Sequence, residues 1–218
     1  MVKINTVNKQ KLMWEYDMSL KGDEYNYILG ADEVARGSIS GPICSAAVIL
    51  KPEASNFKIN DSKQLSQKSR EQLDDEIIEN CISYSIDILN ANYIDEHGIQ
   101  QANRVVLQRS IESVLIKNTD KKILTIVDGN SLWNEKDLQW VPHGDGLSLS
   151  IAAASILAKV FRDRIMNNLS DEYPDFSFSQ HKGYGTKMHK DAIRKYGKIK
   201  NIHRRTFTKD LPDIYYGQ

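Results

Sequence analysis

At 218 residues, 40% hydrophobic and 27% charged, the chain has the length and composition of one soluble globular domain spanning residues 1–218. It contains no apolar run of the ~18 residues a membrane span needs, and Met1 to Tyr16 is polar and mixed in charge, without a secretory hydrophobic segment. A cytoplasmic protein with no membrane partner is expected. The formal net charge is zero, 29 basic against 29 acidic residues, so the total shows no preference for an anionic partner, and nothing demands more than a monomer.

Tyr27 to Gly30 reads as a strand that delivers Asp32 and Glu33 at its end. After Gly41-Pro42, the apolar run Ile43 to Leu50 reads as a second, buried strand on a tight connection. Ser66 to Asn80 looks helical, with Ser66 as N-cap, and Ile82 to Leu89 alternates as a strand does. Ile99 to Ile116 has helical spacing, and Lys122 to Val127 is a short strand ending at Asp128. Ser150 to Leu169 is a strong helix with Ile151, Ala154, Ile156, Ala158 and Phe161 available for packing; Lys187 to Tyr196 is another. Strands alternating with helices predict an α/β domain with a mixed sheet. Cys44 and Cys81, far apart in apolar segments, read as free thiols.

Strand ends converge on one edge of a sheet, so Asp32, Glu33 and Asp128 can meet there, and Asp163 lies within the long helix. Carboxylates converging without basic neighbours repel one another; a divalent cation resolves the repulsion, and oxygen ligands suit Mg²⁺ or Mn²⁺. Two such ions can hold the attacking and leaving oxygens of a phosphodiester. Each acid also has a plainer reading. Asp-Glu after a strand suits a solvated turn or a cap, and Asp128-Gly129 is a common turn signal. Asp163, between Arg162 and Arg164, fits a surface ion pair, and Asp145, between two glycines, fits a turn. Charge is also uneven. Residues 181–209 carry Lys182, Lys187, Lys190, Arg194, Lys195, Lys198, Lys200, Arg204, Arg205 and Lys209 against the lone acid Asp191, either a basic face or a solvated tail.

The strings themselves narrow the choice. Ala31-Asp-Glu-Val-Ala-Arg-Gly-Ser-Ile-Ser-Gly-Pro42 resembles the signature D-E-A-G-R-G-x-x-x-G-P of the ribonuclease HII family. The resemblance continues in order through Asp61-Ser-Lys63, Val127-Asp-Gly129, Gly144-Asp145, Ile151 to Val160, Arg162-Asp-Arg164, Tyr173-Pro174, His181-Lys-Gly-Tyr-Gly-Thr186 and His203-Arg-Arg205. It implies a ribonuclease H-like mixed sheet flanked by helices (residues ~20–186) with a basic helical C-terminal part (~187–218). It implies a four-acid site at Asp32, Glu33, Asp128 and Asp163 holding two Mg²⁺ or Mn²⁺ ions. The substrates implied are RNA–DNA hybrids and duplex DNA with embedded single ribonucleotides, cut 5′ of the ribonucleotide to leave 5′-phosphate and 3′-hydroxyl ends. Selectivity then rests on the ribose 2′-hydroxyl, read by the turn Ala35, Arg36 and Gly37 and by Tyr184. Lys63, Lys182 and Lys187 become candidate phosphate contacts.

Ala35 departs from the family pattern, where glycine stands. If φ is positive there, the alanine Cβ costs roughly 1 kcal/mol or shifts the turn, and junction reading is expected to weaken. The sister family, ribonuclease HIII, carries an extra N-terminal domain and lacks the arginine at the position of Arg36. A silent hybrid-binding module would have lost one of the acids. A serine acyl hydrolase is disfavoured, because Ser155 and Lys159 miss the S-x-x-K spacing and no G-x-S-x-G occurs.

Overall fold

The computed structural model describes residues 6–53 and 67–217. Five strands form one mixed sheet in the order β3-β2-β1-β4-β5: β1 (Tyr27–Val34), β2 (Ile43–Leu50), β3 (Cys81–Leu89), β4 (Ile123–Asp128) and β5 (Leu138–Val141). β1, β2 and β3 pair antiparallel, while β4 runs parallel to both β1 and β5. The central strands are buried on both faces, which is why β2 reads as an unbroken apolar run.

The first strand is longer than its apolar stretch suggests. β1 continues to Val34, so Asp32 and Glu33 lie within it, opposite Ala46 and Ser45 of β2. Pairing with β2 outweighs the poor strand propensity of acidic residues. In the parallel ladder Ala31 pairs with Val127. One residue further along each strand stand Asp32 and Asp128, which puts them side by side at the sheet edge.

Helices cover both faces. On one lies α4 (Ile99–Leu115), whose Leu107, Ile111 and Val114 pack on Leu29, Ala31, Ala47 and Ile49. On the other lies α5 (Leu149–Glu172), packed on β2 with α2 (Gln67–Glu79) and Met13 of α1 (Thr6–Lys21). Ser148 caps α5, its hydroxyl accepting from Ile151 N–H. The start of α5 sits so close to β1 that a Cβ on Gly30 would lie 2.2 Å from the Ser150 carbonyl carbon.

Phe161, expected in the packing, is 36% exposed; the buried positions of that stretch are Ile156, Leu157, Ala158 and Val160. α1, β5 and the short α3 (Ala91–His97) were not anticipated, and Ser66 lies outside the described residues. Beyond α5 come the short α6 (Phe178–His181) and α7 (Lys187–Tyr196), the latter with the expected bounds and capped by Thr186. This C-terminal part packs through Phe176, Phe178, Ile193, Ile199 and Leu211 onto Ile39 and Met166. Both cysteines are free thiols. Among the described residues, no helix is long and apolar enough to cross a membrane.

Candidate active site

A cavity of ≈ 470 Å³ opens where β1, β4 and α5 meet; Asp32, Glu33, Asp128 and Asp145 line it together with Ser155, Lys159, Arg70 and Tyr184. A second hollow of ≈ 320 Å³ shares Glu33, Arg36 and Asp128 with it, so the groove continues past the acids. Asp32 is buried, its Oδ1 accepting from the Glu33 amide at 2.7 Å, and the Ser155 hydroxyl of α5 donates to the same carboxylate. Burial, then the charges of Glu33 and Asp128, holds the Asp32 carboxyl well above the usual range. Burial and Asp128 also raise Glu33, against the pull of Arg36, whose Nη1 lies 3.6 Å away. Asp128 Oδ1 accepts from Gly144 N–H at 2.6 Å, which ties the end of β4 to the turn before α5.

Asp163 reaches the site through basic residues. It is buried, with Lys159 Nζ 2.6 Å from Oδ1 and Arg70 Nη2 4.0 Å from Oδ2. Two expectations change here. The acids do have basic neighbours (Arg36, Lys159 and Arg70), and the partner of Asp163 is Lys159, one helical turn earlier, rather than Arg162 or Arg164. The adjacent arginines leave on other faces of the helix: Arg162 is buried, and Arg164 pairs with Asp74. Within the stripe Ser155, Lys159 and Asp163, Ser155 bonds to Asp32 and Lys159 pairs with Asp163, so both side chains support the acids.

Among the described residues, no three His, Cys, Asp or Glu side chains stand close enough to hold one ion between them as they are arranged. The donor chemistry nevertheless fits a hard divalent cation. The set is all oxygen, and the buried Asp32 carboxylate is opposed by two like charges that a cation would neutralise.

The substrate-side residues divide. Ala35 has φ 78°, so the condition set for a strained alanine is met. Ala35, Arg36 and Tyr184 line the acid cavity; Ala35 is buried, whereas Arg36 and Gly37 after it are exposed. Tyr184 is 38% exposed, its ring 5.8 Å from the Arg162 guanidinium. Lys182 does not line the cavity; its ammonium is bonded to Asn167 Oδ1. Lys187 pairs with Asp191 on the exposed side of α7. Lys63 lies outside the described residues. The basic C-terminal stretch presents less free charge than its composition suggests. Arg204 and Lys198 are buried, Lys190 pairs with Asp210, and Arg205 pairs with Asp95.

Asp145, read as a turn residue, does sit in a 3₁₀ turn (Gly144–Gly146) and also lines the cavity. Arg70 had no signal at all, because only the docking of α2 on α5 brings it to Asp163.

Comparison with known proteins identifies the family and the fold. The family profile for ribonuclease HII matches residues 29–210. Ribonuclease HII of Fusobacterium nucleatum is 42% identical over 191 residues, covering 86% of this chain and 88% of that protein. Ribonuclease HII of Mycoplasma mycoides is 44% identical over 184 residues, covering 83% and 86%. Among solved structures, ribonuclease HII from the PCNA:RNase HII complex of Archaeoglobus fulgidus superposes with a TM-score of 0.69 at 22% identity, covering 85% of this chain and 95% of that one. Bst-RNase HIII in complex with Mn²⁺ gives a TM-score of 0.63 at 17% identity, with 82% and 66% covered. At these identities the two structures speak for the ribonuclease H-like fold alone. On the profile and the relatives, the chain belongs to the ribonuclease HII family and is a ribonuclease H, a phosphodiester hydrolase.

Proposed function

We propose that this protein is a metal-dependent endonuclease that cuts the RNA strand of RNA–DNA hybrids and the 5′ side of single ribonucleotides in duplex DNA, leaving 5′-phosphate and 3′-hydroxyl ends. It acts as a cytoplasmic monomer. The observation that carries the reading is the meeting of Asp32, Glu33 and Asp128 in one cavity, with Asp163 held at its edge by Lys159 and Arg70.

Asp32, Glu33, Asp128 and Asp163 would hold two Mg²⁺ or Mn²⁺ ions, which when bound neutralise charge on the phosphate and help activate the attacking water. The chain's own contribution is positioning. Ser155 and the Glu33 amide fix the Asp32 carboxylate, and Gly144 fixes Asp128. Lys159 and Arg70 neutralise Asp163 and add positive charge beside the path of the phosphate backbone. Tyr184 offers a half-exposed ring for a sugar or base to stack on, and the 35–37 turn offers backbone groups to the ribose.

The test is cleavage of a labelled duplex containing one ribonucleotide, and of an all-RNA/DNA hybrid, with Mg²⁺, with Mn²⁺ and with chelator. Metal-dependent incision 5′ of the ribonucleotide, lost in Asp128→Asn, is expected. Incision that persists in chelator or in the variant refutes the assignment. Because Ala35 has φ 78°, Ala35→Gly should raise the preference for the single-ribonucleotide duplex over the hybrid; an unchanged ratio means the Cβ does not disturb the reading.

A further inference from the structure

The turn at 35–37 is held from beneath by a residue with no role so far. Arg162 and Arg204 are both fully buried, and among the described residues neither forms a salt bridge. Their bonded donors go to main-chain carbonyls, with one side-chain exception at Ser38. Arg162 donates from Nε to Pro42 O at 2.9 Å and from Nη1 to Lys182 O at 2.7 Å, while Nη2 meets Ser38 Oγ and Ser40 O. Arg204 donates from Nε to Gly41 O at 3.0 Å, and from Nη1 to Ala35 O at 2.9 Å and Arg36 O at 3.3 Å; its Nη2 is buried without a partner. A guanidinium buried without a carboxylate is costly, and burial beside Arg162 pushes Arg204 down to about 9.

The gain is geometric. In a trans peptide, C=O and the next N–H point to opposite sides of one plane. With the Ala35 and Arg36 carbonyls drawn inward to Arg204, the amides of Arg36 and Gly37 turn outward. Both residues are exposed, and neither amide has a partner among the described residues, whereas the next amide, Ser38 N–H, bonds back to Ala35 O. A positive-φ residue opening such a turn makes successive N–H groups face one acceptor. Alanine does not hold that conformation unaided, and the bonds from Arg204 supply the restraint.

We propose that Arg204 is the positioning residue of the substrate-reading turn, holding Ala35 and Arg36 so that the Arg36 and Gly37 amides present two donors to an oxygen of the ribonucleotide strand. This rests on the substrate class proposed above. Arg204→Lys keeps a cation but cannot span the three carbonyl oxygens. The ratio of kcat/KM on the single-ribonucleotide duplex to that on the all-RNA hybrid should fall about tenfold in Arg204→Lys, as expected for lost hydrogen bonds. It should recover when Ala35→Gly is added, because glycine adopts the turn without being held. General destabilisation would lower both rates together, so a ratio equal to the wild type's in folded Arg204→Lys overturns the proposal.

A second measurement needs neither the variant nor activity. In the free wild-type protein, the amide hydrogens of Arg36 and Gly37 should exchange near free-chain rates, while that of Ile39, bonded to Gly183 O at 2.9 Å, is protected. Slow exchange at Arg36 or Gly37 overturns the proposal. A wild type that cleaves neither substrate refutes the functional reading instead, and the exchange rates still decide the geometry of the turn.

Discussion

Gly30→Ala should damage both fold and activity, although it adds one methyl group. The new Cβ would lie 2.2 Å from Ser150 C, 2.4 Å from Ser150 O and 2.6 Å from Ile151 N. All three are backbone atoms at the start of α5, so no side chain can swing aside. Reaching an ordinary contact of 3.4 Å requires β1 and α5 to part by about 1 Å. Overpacking typically costs about 1–3 kcal/mol, and a clash with rigid backbone belongs at the upper end, about 3 kcal/mol. With a urea dependence of roughly 2 kcal/mol per molar, the unfolding midpoint should drop by about 1.5 M. Activity should suffer more than stability explains. β1 carries Asp32 and Glu33, and α5 carries Ser155, Lys159 and Asp163, so the same movement separates the two halves of the site. A misplacement of about 1 Å can cost about 100-fold in rate. Urea unfolding and hybrid cleavage on folded protein are the assays. A midpoint within about 0.2 M of wild type, together with kcat/KM within about twofold, would refute the reasoning that the β1–α5 contact sets the site.

Two further outcomes follow from buried polar groups. Asp17 Oδ2 of α1 accepts from Ser150 N–H at 2.9 Å and from its hydroxyl at 2.8 Å, so Asp17→Ala should cost about 2 kcal/mol in urea unfolding; a change under about 0.5 kcal/mol would show that α1 does not cap α5. His203 Nδ1 accepts from Ile199 N–H and His189 Nδ1 donates to Tyr184 O, which leaves His203 Nε2–H to donate to His189 Nε2 at 3.1 Å, both rings neutral. Burial first of all lowers His189 to about 3 and His203 to about 4, whereas in the unfolded chain they titrate near 6.5. Below about pH 6.5 the unfolded chain therefore binds more protons, so this stability is complete above that pH and is lost as pH falls toward 4, by about 1.4 kcal/mol per pH unit for each histidine. The stability gap between wild type and His189→Gln should shrink from pH 7 to pH 5; a constant gap would mean His189 is not held neutral.

How much of this was legible in the sequence depends on the range of the forces involved. Local periodicity was enough for β2, α4, α5 and α7, because burial on one face or on both is written in neighbouring residues. The ordered motifs identified the family and the acids to examine. α1, whose apolar residues show little helical segregation, and β5, four residues on the sheet edge, left too weak a pattern to read. The continuation of β1 through Asp32 and Glu33 was equally hidden, since it depends on the ladder formed with β2. The sequence by itself determined the fold class, the family and the residue types at the site. Tertiary structure alone decided that Lys159 and Arg70 meet Asp163, that Ala35 takes a positive φ, and that Arg204, one of ten basic residues in a seemingly solvated stretch, is buried beneath the turn. The reason is physical: a charge count carries no information about desolvation, and which cation reaches which carboxylate or carbonyl is set by how distant elements pack.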